Sequence, residues 1–178
     1  MSLRVENLTK RYGETTALSE VSFEIPDGNF AVLLGQSGAG KSTLLRILNG
    51  LTEPTAGSVY LDGEEVTNSR SDVGMVFQQH NLVEDLSAYS NALTGTLNRT
   101  GFVRSLLNRQ PVDERELALE ALDTVGLLDE AGQKVSSMSG GQQQRVGIAR
   151  ALVQQPALLL ADEPVASLDP SSAETVME

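Results

Sequence analysis

The chain has 178 residues and no cysteine, a length able to bury one domain's core and a composition that excludes disulfides and thiolate metal sites. Its formal net charge of −11 disfavours a nucleic-acid partner, because phosphate binding needs a surplus of Lys and Arg that is absent. No stretch approaches a membrane span, and Arg4, Glu6, Lys10 and Arg11 interrupt any apolar leader, so the expectation is a protein retained in the cytoplasm.

Leu3, Val5 and Leu8 alternate like a short strand, and a second strand, Val21 to Ile25, precedes the turn Pro26, Asp27, Gly28. Tyr12, between them, is either a packed surface ring or, beside a phosphate site, a ring that stacks on adenine. The apolar run Phe30 to Leu34 reads as a strand leading into Gly35, Gln36, Ser37, Gly38, Ala39, Gly40, Lys41, Ser42 and Thr43. Those residues satisfy G-x-x-x-x-G-K-[ST] at each fixed position, and Leu44, Ile47, Leu48 and Leu51 follow at helical spacing. Glycines allow successive N–H groups to point at one anion, and the helix starting near Lys41 aims its positive end at the same charge. Lys41 adds a full charge on the outer phosphates, Ser42 offers a hydroxyl to a bridging magnesium ion, and Thr43 helps to cap the helix. A nucleoside-triphosphate site is therefore expected, against the plainer reading of a flexible glycine-rich turn.

Gly57 to Gly63 reads as a further strand, which with the first two makes a small antiparallel sheet beside that site. Val73 to Phe77 is a short apolar strand ending at Gln78, Gln79, His80 and Asn81. From a strand's carboxyl end Gln78 can reach a metal, a water or a phosphate, or merely bond local backbone; His80, the only histidine, reads as solvated. From Ser87 to Gly126 the pattern is helical: Asp113 to Glu116 resembles a capping box, Leu117, Ala121, Leu122 and Val125 form a stripe, and Gly126 stops the helix. Arg99, Arg104 and Arg109 alternate with Phe102, Val103, Leu106 and Leu107, a basic amphipathic patch that faces a partner, the inner membrane surface or only solvent.

Ser139, Gly140, Gly141 and Gln142 open another helix as a capping box. Glycine at its first positions is costly, by about 1 kcal/mol each, unless the backbone must approach something closely, so a second anion site is the economical explanation. Pro156 ends that helix, and Ala157 to Ala161 is expected to be a central strand buried on both faces. Asp162 and Glu163 then lie at its carboxyl end, where Asp162 can hold a magnesium shell and Glu163 can polarise an attacking water. Asp169 and Pro170 begin a terminal helix. The acid-rich, lysine-poor composition fits either a protein kept soluble in high salt or plain bacterial acidity.

Taken in order, the phosphate loop, the Gln78 loop, Ser139 to Arg145, Ala161 to Pro164 and Ser167 to Asp169 resemble the ATP-binding subunit of an ATP-binding-cassette (ABC) transporter, from residue 3 to 178. The resemblance implies an α/β fold: a RecA-like P-loop NTPase core (31–54, 67–82, 143–178), a small antiparallel β subdomain (1–30, 55–66) and a helical insert with the signature motif (83–142). It implies ATP and Mg2+ as ligands, with Tyr12 on adenine, Lys41, Ser42 and Thr43 on phosphates and magnesium, and Gln78 sensing metal and membrane partner. Asp162 then belongs to the metal shell, Glu163 is the catalytic base, Ser139 to Gln142 contact ATP held by the opposite subunit, and Asp169 crosses the dimer interface. It further implies a head-to-tail homodimer at the cytoplasmic face of the membrane, a permease partner and, indirectly, an extracytoplasmic solute-binding protein.

Phe77 to Val83, Gly101 to Leu107 and Val165 to Pro170 are most similar to the phosphonate importer branch, whereas importers of polar amino acids, methionine or phosphate share most of these motifs. Soluble relatives in DNA repair carry a long coiled-coil insertion and those in translation carry two cassettes, neither of which is seen here. The family's switch histidine lies on a strand beyond the position where this sequence stops, so the C-terminal part of the core is expected to be missing, with weak nucleotide binding and slow hydrolysis.

Overall fold

Leu3, Val5 and Leu8 are all buried, although strict alternation along a flat strand would turn Leu8 away from the other two. The first strand, β1 (Leu3–Tyr12), solves this with an extra residue: its register slips between Val5 and Leu8 against one neighbour and between Glu6 and Thr9 against the other. Asn7, at the slip, takes a left-handed φ of 48°, which asparagine tolerates better than most residues. Gly57 lies opposite, where a Cβ would run into the carbonyls of Glu6 and Asn7. The sequence spacing 3, 5, 8 is thus the trace of a bulge.

The structure is a computed structural model that describes residues 1–77, 81–97 and 112–162, in two units, Met1–Val73 and Gly74–Glu178. In the first unit β1 is flanked by β2 (Thr15–Ile25) and β3 (Ala56–Leu61), and β4 (Glu64–Glu65) closes the order β2-β1-β3-β4, antiparallel throughout. Helix α1 (Lys41–Leu48) buries Leu44, Leu45, Ile47 and Leu48. Gly50, at φ 71°, ends it, and Leu51 falls outside the buried stripe that its spacing implied.

Residues 30–34 do not form the expected strand. None of the described strand pairings includes them, and Phe30 and Leu34 are 81% and 90% exposed. A strand's backbone groups need neighbours to pair with, so apolarity alone does not make one.

β5 (Val73–Val76), all but its first residue in the second unit, pairs with β6 (Leu158–Ala161). The Asp162 amide donates to the Val76 carbonyl at 3.0 Å, joining the carboxyl ends of the two strands as parallel strands do. Gly74 leaves room for Pro156 across the ladder, since a Cβ would sit 2.9 Å from the proline ring. The expected burial of β6 on both faces does not hold: Leu160 is buried while Leu159 is 42% exposed, because β5 is its only described neighbour.

Helices α2 (Ala88–Leu93), α3 (Val112–Thr124) and α4 (Gly140–Val153) pack against one another around Ala92, Ala118, Leu122, Val146 and Ala149. The capping box expected at Asp113 is not the start of α3, because Asp113 is already its second residue, where its charge suits the helix's positive end. The buried stripe is Glu114, Ala118, Ala121 and Leu122, with Leu117 only partly covered. Gly126 does terminate the helix, at φ 65°, with the Leu127 amide reaching back to the Leu122 carbonyl at 2.8 Å. Among the described residues no helix is long and apolar enough to cross a membrane.

Candidate functional site

Between residues 35 and 41 the backbone makes a turn that side chains would obstruct. The Ala39 amide donates to the Gln36 carbonyl at 3.1 Å, and Gly38 and Gly40 take φ values of 82° and 87°. At Gly38 the left-handed φ alone calls for glycine, since a Cβ would meet nothing within 4 Å. At Gly40 there is a second reason: a Cβ would run into the Ala17 carbonyl and come within 2.9 Å of Leu18 Cδ2 on β2. The loop is therefore clamped to the sheet at its last residue and open before it, since residues 35–39 are all exposed.

Gly40 is also the N-cap of α1; among the described residues no side chain caps it, and its first turn holds no acidic residue. Thr43 accordingly does not cap the helix. An uncapped helix start carries partial positive charge on amides with no intrahelical partner. Lys41 Nζ donates to the carbonyls of Gly35 at 2.7 Å and Gln36 at 3.1 Å, folding its charge over the loop. Ser42 and Thr43 follow in the first turn, both partly exposed. Open amides, left-handed glycines and a lysine held only by carbonyls fit an anion of several negative oxygens. Ser42 adds a hydroxyl of the kind that ligates a hard cation.

Tyr12 is at the sheet end nearest that clamp by register: it pairs with Thr15, and Lys10 pairs with Leu18, against which Gly40 packs. Its ring is half exposed, with the Lys10 ammonium 5.0 Å from the centroid.

In the second unit the capping box forms in full. Ser139 Oγ accepts from the Gln142 amide at 3.2 Å, and Gln142 Oε1 accepts from the Ser139 amide at 3.0 Å. Ser139 and Gly140 are exposed, and a Cβ at Gly140 would meet nothing within 4 Å, so no contact among the described residues calls for glycine there. Asp162 stands at the carboxyl end of β6, partly exposed. Gln78, Glu163 and Asp169 lie outside the described residues, as do His80 and the stretch holding Arg99, Arg104 and Arg109.

Two polar residues that the sequence did not single out for a role anchor the segment following Gln78. Asn91, 1% exposed, accepts from the Val83 amide at 2.8 Å and donates to the carbonyls of Val83 and Ser87 at 3.0 Å each. Arg150 Nη1 donates to the Asn81 carbonyl at 2.7 Å, and burial pushes its guanidinium below the usual arginine range. The available signal was weak: Arg150 stands between Ala149 and Ala151 in α4, and Asn91 between Ser90 and Ala92.

The ABC transporter family profile matches residues 18–166. A phosphonates import ATP-binding protein of Halobacterium salinarum is 67% identical over 176 residues, 99% of this chain and 63% of that protein. A protein of the same name from Haloquadratum walsbyi is 67% identical over 177 residues, again 99% and 63%. The chain thus spans less than two thirds of the length of these curated relatives.

Among solved structures, a dimeric post-hydrolysis ATP-binding cassette bound to ADP and Pi has a TM-score of 0.83 at 36% identity, covering 98% of this chain and 79% of its own. A nucleotide-free cassette from an ABC transporter has a TM-score of 0.85 at 29% identity, covering 99% and 74%. The fold is that of these P-loop ATPase cassettes, a mixed α/β chain with a small antiparallel sheet and a helical segment. With the profile matched across residues 18–166 and relatives 67% identical along nearly its whole length, the chain belongs to the ABC transporter family.

Proposed function

We propose that this chain is the ATP-binding and ATP-hydrolysing subunit of an importer for phosphonate or a similar small anion. The observation that carries the reading is the loop at residues 35–41, whose glycines, open helix start and overlying lysine suit a polyphosphate. The cargo rests on the printed name of the relatives in Halobacterium and Haloquadratum. In this reading the α1 amides receive the phosphates, Lys41 swings from the loop carbonyls onto the outer phosphate oxygens, and Tyr12 covers the base. Ser42, Asp162 and Gln78 are the residues to hold magnesium, which when bound neutralises phosphate charge. Glu163 takes the proton of the attacking water.

A head-to-tail dimer is the arrangement that exposed Ser139 and Gly140 support, since no described contact calls for the glycine; there the signature of one copy would meet ATP held by the other. Such a dimer would sit on a membrane permease at the cytoplasmic face, fed by an extracytoplasmic solute-binding protein, with no nucleic-acid partner. The subdomain divisions given from sequence are part of the same proposal.

The test is nucleotide binding by the purified chain with and without magnesium, beside Lys41→Ala. Loss of one charged hydrogen-bond donor removes about 1.5–3 kcal/mol, a roughly ten- to hundredfold weaker affinity, with thermal stability unchanged. An unsubstituted chain that binds no adenine nucleotide under any magnesium concentration overturns the reading.

A further inference from the structure

The segment Asn81–Ser87 is fastened at both ends of one helix. At the start of α4, the Val135 amide donates to Leu86 O at 3.0 Å and the Ser136 amide to Glu84 O at 3.0 Å, just ahead of Ser139. Gln143, in the first turn of α4, turns its side-chain amide back to the carbonyls of Val135 and Met138 at 3.1 and 3.2 Å, so this approach moves with the helix. Near the other end, Arg150 donates to the Asn81 carbonyl at 2.7 Å. Eleven positions separate Ser139 from Arg150 along the sequence, about 16 Å of helix, so the strap spans most of α4.

The strap is also pinned from the side. Asn91 on α2 grips Val83 and Ser87, and α2 continues into a short 3₁₀ turn whose Gly95 lies so close to α4 that a Cβ would run into the Arg150 carbonyl. Asn81, where Arg150 takes hold, has φ 48°. Asparagine tolerates this left-handed conformation better than most residues, and the bond from Arg150 to its carbonyl holds it there. In sequence, Asn81 is three residues after Gln78.

We propose that Arg150 is a positioning residue: it ties the segment after Gln78 to the helix that begins at Ser139, so that contact made at Ser139–Gln142 is felt at Asn81–Ser87. This rests on the reading of the chain as a nucleotide-binding dimer, but Arg150 and Asn81 are residues to which that reading assigns no nucleotide contact. Loss of the guanidinium leaves the strap, among the described residues, bonded at Glu84 and Leu86 and through Asn91, and motion of α4 is then no longer carried by Arg150 to Asn81.

The experiment is amide hydrogen exchange on the chain, with and without magnesium and ATP, for the unsubstituted protein, Arg150→Met and Arg150→Lys. In the unsubstituted protein nucleotide slows exchange of the Val83 to Ser87 amides at least fivefold. In Arg150→Met that response falls below twofold while nucleotide affinity stays within threefold, and Arg150→Lys, which keeps one donor and the charge, restores part of it. A strap whose response survives Arg150→Met, or which ignores bound nucleotide in the unsubstituted protein, overturns the proposal. Should Arg150→Met fail to fold, Arg150→Lys decides alone: its response must be weaker than that of the unsubstituted protein. If no nucleotide binds at all, the functional reading fails, and the proposal then stands or falls on whether either variant speeds basal exchange of Val83 to Ser87 above that of the amides within α3.

Discussion

The chain carries two helix starts built on glycine, and they are built in opposite ways. At α1 the cap is Gly40, no side chain bonds the first-turn amides, and the geometry is fixed by backbone: left-handed φ angles and a close approach to Ala17. At α4 two uncharged side chains, Ser139 and Gln142, satisfy amides reciprocally, and a Cβ at Gly140 would meet none of the described residues within 4 Å. The first start leaves all of its orphan donors for a ligand; the second leaves only those of its first two residues. A helix start open to an anion and one that is largely closed can therefore share a glycine-rich signature, and what separates them is whether the helix caps itself.

Exchanging glycine for alanine at each start should break the symmetry most sharply. Gly40→Ala must accommodate a Cβ at φ 87° against a backbone carbonyl, with a cost of about 1–2 kcal/mol from the left-handed conformation alone and more from the collision. Nucleotide binding should be abolished and the melting temperature lowered. Gly140→Ala meets open space in a helical conformation, so stability should be unchanged or higher by up to about 1 kcal/mol, while nucleotide-driven dimerisation weakens. Thermal melts paired with sedimentation, with and without ATP, would separate the two. Equal effects at both positions would mean that the glycines do the same job and the contrast is wrong.

Much of this contrast was legible in the sequence. The phosphate-loop pattern, the S-x-x-Q box and the stop at Gly126 each rest on local backbone chemistry, which a few residues determine among themselves. What was missed depends on partners far along the chain. Leu8 is buried only because the bulge at Asn7 resets β1 against both neighbours, and Gly57 on β3 must make way for it. Residues 30–34 have the apolarity of a strand, but pairing is a property of neighbours, and the described ladders leave them out. Asn91 looks like any polar helix residue until its side chain is found bonded to Val83 and Ser87. Glu163, proposed as the base, lies outside the described residues.

The self-capping of α4 can be tested next, with a smaller effect. Ser139→Ala should cost about 1 kcal/mol through loss of the acceptor for the Gln142 amide. Gln142→Ala should cost less, since the Ser139 amide it frees is exposed to water. Because both bonds belong to one box, the double variant should cost less than the sum, and a double-mutant cycle in urea would read the coupling. Additive costs would show two independent contacts and remove the argument that the start of α4 is closed upon itself.

The smallest expected difference is in pH. The α4 cap is made of groups that do not ionise in the acid range, whereas the first unit holds an ionic clasp. Arg70 donates to both Asp72 carboxylate oxygens at 2.9 and 2.8 Å and to Glu64 on β4 at 3.0 Å. The hydrogen bonds from Arg70 hold the Asp72 carboxyl below its ordinary value, ahead of an opposing push from partial burial. A depressed carboxylate contributes stability that is complete above its unfolded pKa, near 3.8, and is lost as pH falls through the lower folded value. In Arg70→Met the Asp72 carboxyl returns to the ordinary range, so the fall in melting temperature between about pH 4 and pH 2 should be shallower, while Ser139→Ala leaves that slope alone. Arg70 and Asp72 are only partly buried and Glu64 is exposed, so the clasp's contribution is small, and salt should reduce it further. Melts at low and high salt across that range check both points, and a slope that changes with Ser139 rather than with Arg70 would place the acid sensitivity in the wrong unit.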